Sequence, residues 1–388
     1  MKKPVVVYIA GERQHAGKTV SSLGIISALC KVVAPKDIGY FKPVGQEMVT
    51  LPSGERIDKD VRIVQEFTEL DMPNLGLLSP VRVGDGVTRD YLACDHPGKR
   101  TEAYEKAIVQ TMEHLSNKRL IIAEGTGHPG VGAVVGLSNA RVSNLLHAKI
   151  LYLVGGGIGK PLDELEVDLS YFSHKKSRVA GILFNKVLPN KTDMMKSVLS
   201  EPAINRIFPE WDPSLKIFGY MPQVQYLNNP SMQLVSGSFK TCQRMNEQNI
   251  ERWQKPCRQV NVVSQGSESF IAKEHLKARD IAVLGAGSHC RLQRIIDFDR
   301  ALEGDNLGGI ILNCANDNMP DEKALAMVRE SGIPTLIVPD DAGAVDQTCY
   351  KCFVNTKLQL YDRQKHEAIE QLFAEHFDAE RFVRTIGL

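Results

Sequence analysis

The chain predicts an α/β fold with a mainly parallel sheet, followed by a second, smaller α/β unit, and three observations carry that prediction. Nearly all-apolar β-type runs alternate with helical stretches through the first half, the pattern of strands buried on both faces beneath covering helices. The first such run, Val5 to Ala10, leads straight into a glycine loop closed by Gly17-Lys18-Thr19. After the turn-rich patch Tyr226-Leu-Asn-Asn-Pro230 a second series of shorter strands and helices begins. At 388 residues the chain exceeds the size at which one core stops growing, so two domains are expected, residues 1–229 and 230–388.

The elements follow in order. Strands are expected at Val5 to Ala10, Ile38 to Phe41, Leu120 to Glu124, Ile150 to Val154, Val179 to Phe184 and Lys216 to Tyr220. Between them helical spacing runs through Thr19 to Lys31, Val61 to Leu70, Thr101 to Leu115, Leu162 to Phe172 and Asp193 to Leu199. In the second half strands are expected at Val260 to Val263, Ile281 to Leu284, Gly309 to Leu312 and Thr335 to Val338, with a Ser-rich helix before the second of them.

Composition narrows the function classes. With 47 basic and 46 acidic residues the formal charge is +1, which supplies no electrostatic ground for a nucleic-acid or anionic-membrane partner. No window approaches the roughly 18 apolar residues of a membrane span, and the run after Lys2-Lys3 is too short and β-branched for a signal peptide. Cytoplasmic residence is expected. The eight cysteines are scattered, as reduced and mostly structural thiols are; Cys349-Tyr-Lys-Cys352 has metal-site spacing but no second pair to complete four ligands.

The loop after the first strand reads as a phosphate-binding P-loop. Glycines let backbone N–H groups turn inward around phosphate oxygens, Lys18 adds a mobile positive charge, and the Thr19 hydroxyl can ligate Mg²⁺. Five residues separate Gly11 from Gly17, so the cradle extends through His15, Ala16 and Gly17 into Lys18, Thr19 and Val20. A second lysine, Lys42, stands just past the second strand, at the sheet edge where ligands bind; there it either neutralises a transferring phosphoryl group or is a surface lysine before a turn. Asp58 and Asp60 open the next helix, and Asp60 is either its N-cap or a Mg²⁺ ligand. Glu124 ends an apolar strand and enters the glycine loop Gly125 to Gly132, the usual acidic metal arm of a phosphate site. His128 lies in that loop, and Gly155 to Gly159 makes a third glycine turn on the same edge.

Together these residues resemble the dethiobiotin synthetase-like branch of the P-loop proteins, which also includes cobyrinic acid amide synthases and the N-terminal region of long bacterial phosphotransacetylases. The likeness spans roughly residues 4–225 and rests on the long P-loop, Lys42-Pro-Val, the Asp opening the following helix and Glu124-Gly-Thr-Gly. It implies ATP and Mg²⁺ as cofactors, with Lys18 and Lys42 in catalytic roles and Thr19, Asp60 and Glu124 as metal ligands. It also implies that Asn185 recognises adenine and that Gly219-Tyr-Met-Pro222 forms the adenine-side loop. The chain departs from dethiobiotin synthetases at Glu12-Arg-Gln-His-Ala16 and at Gln46, where they carry a serine near the diamine substrate. Gly285-Ala-Gly-Ser-His-Cys290 lacks the nucleophile elbow of a glutaminase.

By order and strand pattern the second half, Cys257 to Arg294 and Gly309 to Thr356, resembles the DRTGG domain that follows the P-loop region in phosphotransacetylases, with Gly287-Ser-His in place of Gly-Asp-Arg. Two functions follow from the resemblance. One is an ATPase or ATP-dependent ligase-like enzyme that phosphorylates a carboxylate or carbamate on an unidentified small-molecule acceptor. The other is a regulatory protein in which nucleotide binding is coupled to an effector read by the second domain. A homodimer is compatible with either.

Overall fold

Six parallel strands form the central sheet: β1 (Val5–Gly11), β2 (Ile38–Phe41), β3 (Leu120–Glu124), β4 (Lys149–Gly155), β5 (Arg178–Val187) and β6 (Lys216–Pro222), in the order β6-β5-β4-β1-β3-β2. The computed structural model describes residues 3–388 except 73, 85, 210, 264–275, 303 and 316–317. The Ser-rich helix expected before Ile281 falls on 264–275, outside the described residues.

The strand sequences explain the layering. Ile9, Tyr40, Ile121, Ile122, Leu153 and Phe184 are buried, so both faces of the sheet are covered, as an all-parallel sheet requires. Strand β1 sits centrally; the chain leaves it towards β2 on one side and leaves β4 towards β5 on the other. The loops at this C-terminal edge therefore diverge and leave a crevice. The helix Lys18–Leu29 starts at Gly17, whose φ of 91° suits only glycine, and buries Leu23, Ile25, Ile26 and Leu29.

The last 26 residues do not stay with the second half. The chain divides into one unit of residues 1–223 with 363–388 and another of residues 224–362, where 1–229 and 230–388 were expected. In the first unit the C-terminal helix Arg363–His376 packs on the helix Lys18–Leu29 and buries Ile369, Leu372 and Phe373. Phe377 then bridges to Gly219 and covers the edge of β6. Nothing local announces that return, because an apolar helical stripe does not name its partner.

The second unit holds its own mixed sheet. Strands β7 (Gln243–Met245), β8 (Val260–Val262), β9 (Ile281–Gly285), β10 (Gly309–Asn313) and β11 (Thr335–Val338) run in the order β7-β11-β10-β9-β8, with β7 alone antiparallel. Alternate residues of β9 and β10 point into two cores, Ala282, Leu284, Ile310 and Leu312 on one face and Ile281, Val283 and Ile311 on the other. Cys349 and Cys352 are both buried in the second of these cores, and burial pushes the Cys349 thiol up to about 12.

Candidate functional site

Strand ends β1, β2 and β3 bring Lys18, Thr19, Lys42, Asp60 and Glu124 together at the C-terminal edge of the sheet. Thr19 Oγ1 lies 2.9 Å from Asp60 Oδ1 and 3.0 Å from Glu124 Oε1. Lys42 Nζ, on a side chain only 8% exposed, donates to Asp60 and to Glu124 Oε1 at 3.2 Å, with Asp58 Oδ1 at 3.9 Å. Burial alone would lower the Lys42 ammonium; the carboxylates of Asp60, Glu124 and Asp58 overcome it and hold it well above the usual lysine range. Asp60 ends below its ordinary value, because Lys42 and the Thr19 hydroxyl outweigh its burial.

Lys18 is also buried, yet it is held differently. Its Nζ donates to the carbonyls of Arg13 at 3.0 Å and Gly127 at 3.1 Å, and burial, with Lys42 nearby, pushes it down to about 8. Two ammonium groups thus converge beside two carboxylates.

Asp58 and Asp60 divide the work that the sequence left open for Asp60. The helix Lys59–Phe67 begins two residues sooner than expected of an Asp60 cap: Asp58 is the N-cap, its Oδ1 accepting from the Asp60 N–H at 2.9 Å. Its Oδ2 accepts from the N–H groups of Gln46 and Glu47 at 3.0 and 3.2 Å, and burial pushes it up to about 6. Asp60 is thereby free to face Thr19 and Lys42.

Glu124 is positioned by residues the sequence reading did not single out. Its Oε2 accepts from Ser22 Oγ at 2.8 Å and from Tyr40 OH at 2.9 Å, so one oxygen is anchored and Oε1 is turned to Thr19 and Lys42. A signal existed for Tyr40: it stands two residues before Lys42, and the two-residue period of a strand sends both to one face. His128 is exposed and only accepts, through Nδ1, from the Gly130 N–H at 3.2 Å.

At the far side of the loop, Asn185 Nδ2 donates to the Ala16 carbonyl at 2.8 Å and Lys186 Nζ to that of His15 at 3.0 Å. Pro222 lies on the neighbouring strand, paired with Val187. Gly11 ends β1, and Val20 follows Thr19 within the helix. On the other side, the segments just after Lys42 and Glu124 wall a cavity of about 360 Å³, lined among others by Val44, Gln46, Val83, Thr126, His128 and Val134.

The donor set suits a hard divalent cation. Among the described residues no three His, Cys, Asp or Glu side chains could by themselves hold a metal. A hydroxyl and two carboxylates within 3.0 Å are what Mg²⁺ takes when phosphate oxygens and water complete its six ligands.

The family model for an AAA domain, AAA_26, matches residues 6–231, more than half of the chain. The chain belongs to the AAA_26 family. Its AAA_26 region is a P-loop ATPase-family domain, which supports ATP binding. The chain is similar to the MinD cell division protein of Aquifex aeolicus at 14% identity and a TM-score of 0.34, covering 58% of this chain and 84% of that one. It is similar to the MinC:MinD cell division protein complex of Aquifex aeolicus at 15% identity and a TM-score of 0.34, covering 57% and 83%. A ParA family ATPase from Chlorobium tepidum TLS matches at 13% identity and a TM-score of 0.33, covering 58% and 87%. No described helix is long and apolar enough to cross a membrane.

Proposed function

We propose that the first unit binds Mg-ATP and transfers its γ-phosphoryl group to a carboxylate or carbamate of a small-molecule acceptor, as an ATPase or ATP-dependent ligase-like enzyme. The observation that carries this reading is the convergence of Lys18 and Lys42 with Thr19, Asp60 and Glu124 at one sheet edge. Binding a nucleotide needs the loop and Lys18; a second buried lysine between two acidic arms is what charge development on a moving phosphoryl group calls for.

In this reading the loop N–H groups from Gly11 to Val20 cradle the phosphates, with Asn185 and Pro222 on the side of the base. Thr19, Asp60 and Glu124 would hold Mg²⁺, which supplies charge neutralisation on the phosphate oxygens. Lys42, already bound to the same carboxylates, is held rigid by them and needs little reorganisation when the acceptor arrives. The cavity next to Val44 and Thr126 takes the acceptor, because its walls are the segments that follow Lys42 and Glu124. The second unit acts as a DRTGG-like domain beside a dethiobiotin synthetase-like one, in a cytoplasmic protein whose homodimer would complete the site.

The test is ADP formation by the full-length chain with Mg-ATP, with and without a small-molecule cell extract, and Lys18→Ala as control. Extract-stimulated ADP release that the variant loses supports phosphoryl transfer. Tight ATP binding without turnover under any extract would overturn it and leave the regulatory reading, in which nucleotide is sensed and not consumed.

A further inference from the structure

Three side chains hold the carbonyls of the phosphate loop. Lys18 Nζ takes that of Arg13 at 3.0 Å, Lys186 Nζ that of His15 at 3.0 Å, and Asn185 Nδ2 that of Ala16 at 2.8 Å. A loop that offers its N–H groups to an anion must keep its carbonyls turned away from it, since a carbonyl oxygen facing phosphate is repulsive. Lys18 belongs to the loop itself; Asn185 and Lys186 come from β5.

Two consecutive strand residues normally point to opposite faces. Here Lys186 has φ 57°, a left-handed conformation that breaks the alternation and lets both side chains reach one loop. Two glycines leave the space that this arrangement fills. A β-carbon at Gly17 would lie 2.7 Å from Asn185 Nδ2, and one at Gly156 would lie 2.5 Å from the Lys186 carbonyl oxygen. Asn185 is 8% exposed, and its Oδ1 accepts from the Lys186 N–H at 2.9 Å. One N–H of the amide and one lone pair of its oxygen are thus committed to backbone, which fixes the side chain against the loop.

We propose that Asn185 and Lys186 are positioning residues that brace the phosphate loop through the Ala16 and His15 carbonyls, and so set affinity for the polyphosphate whatever is attached to it. This rests on the nucleotide reading above. Loss of the brace weakens every ligand with a triphosphate. One neutral hydrogen bond lost at Asn185 corresponds to roughly 2- to 10-fold in affinity, and one to the Lys186 ammonium to about 10-fold or more.

Calorimetric titration of ATP, GTP and inorganic tripolyphosphate, each with Mg²⁺, into the full-length chain tests this on wild type, Asn185→Ala, Lys186→Met and Lys186→Arg. The expected result is a fold-loss in Asn185→Ala and in Lys186→Met that tripolyphosphate shares with ATP and GTP, with recovery in Lys186→Arg, which retains a donor for the His15 carbonyl. Thermal unfolding identifies any variant that fails to fold; if Asn185→Ala is lost this way, the half-buried Lys186 pair decides. Selective loss of ATP in Asn185→Ala, with tripolyphosphate unchanged within about twofold, overturns the brace and makes Asn185 a base reader while the nucleotide reading stands. Unchanged affinity for all three in both variants also overturns it. Wild type binding none of the three defeats the nucleotide reading and the brace together.

Discussion

Gly24 in the phosphate-loop helix faces the ring of Phe373 in the C-terminal helix so closely that a β-carbon at Gly24 would come 2.1 Å from the ring edge. The side chain of Phe373 is almost wholly buried, at 1% exposure. The helix Arg363–His376 is therefore seated on the helix that begins at Lys18, through a contact that admits no methyl group. Gly24→Ala should gain about 1 kcal/mol of helix propensity and lose about 1–3 kcal/mol to overpacking. A net loss of stability in urea unfolding is expected, and a net gain would show that the two helices separate freely. Phe373→Ala should cost about 3–5 kcal/mol by the same measurement.

Lys42 balances three buried or half-buried carboxylates. Lys42→Met keeps its length and removes the charge, so Asp60 and Glu124 lose the ammonium bound between them. In Mg²⁺-free buffer the variant should unfold about 3–5 kcal/mol more easily, since breaking a buried pair strands its partner. Lowering the pH should recover part of that loss, as the stranded carboxylates take up protons. A variant as stable as wild type at neutral pH would mean that the carboxylates are not charged together.

His366 stacks on Phe67, with ring centroids 4.8 Å apart, and its Nε2 is buried without a hydrogen-bond partner. Burial holds the imidazole below its ordinary value of 6.5, against the pull of Glu370 and Glu367. The unfolded chain then binds the proton more readily than the folded one, so stability is full above about 7 and falls as the pH drops through 6.5 towards the folded value. Asp58 works the other way: its carboxyl, raised to about 6, contributes stability at low pH that is lost as the pH rises. His366→Phe keeps the stacked ring. The difference in Tm between wild type and this variant, followed from pH 8 to pH 5, should isolate the histidine contribution, and a flat difference would refute it.

Thiol reactivity should divide by burial. Cys290 is exposed, whereas Cys257, Cys314, Cys349 and Cys352 are buried, and burial pushes Cys349 up to about 12. Iodoacetamide on the native protein should label Cys290 first and leave these four unmodified until urea is added. Early labelling of Cys349 or Cys352 would mark the pair as chemically active.

The amino-acid sequence by itself determined the six strands of the first sheet, the four parallel strands of the second and the phosphate loop, because each rests on a local signal: continuous apolar runs, glycine spacing, and a carboxylate closing an apolar strand; the short polar β7 carries no such signal and was not among them. Asp60 and Glu124 were legible as metal-arm candidates for the same reason. The tertiary structure alone decided that Asp58 caps the helix, that Ser22 and Tyr40 anchor Glu124, that Asn185 and Lys186 hold the loop carbonyls, and that residues 363–388 return to the first unit. The hydrogen bonds to Glu124 and to the loop carbonyls join residues 84 to 171 positions apart, and periodicity carries no information about which apolar face or which carbonyl a side chain will meet. Asp58 is the local exception: two carboxylates two residues apart satisfy the same helix-start pattern, and only the backbone turn at Gly45 to Glu47, whose N–H groups bind Asp58 Oδ2, chooses between them.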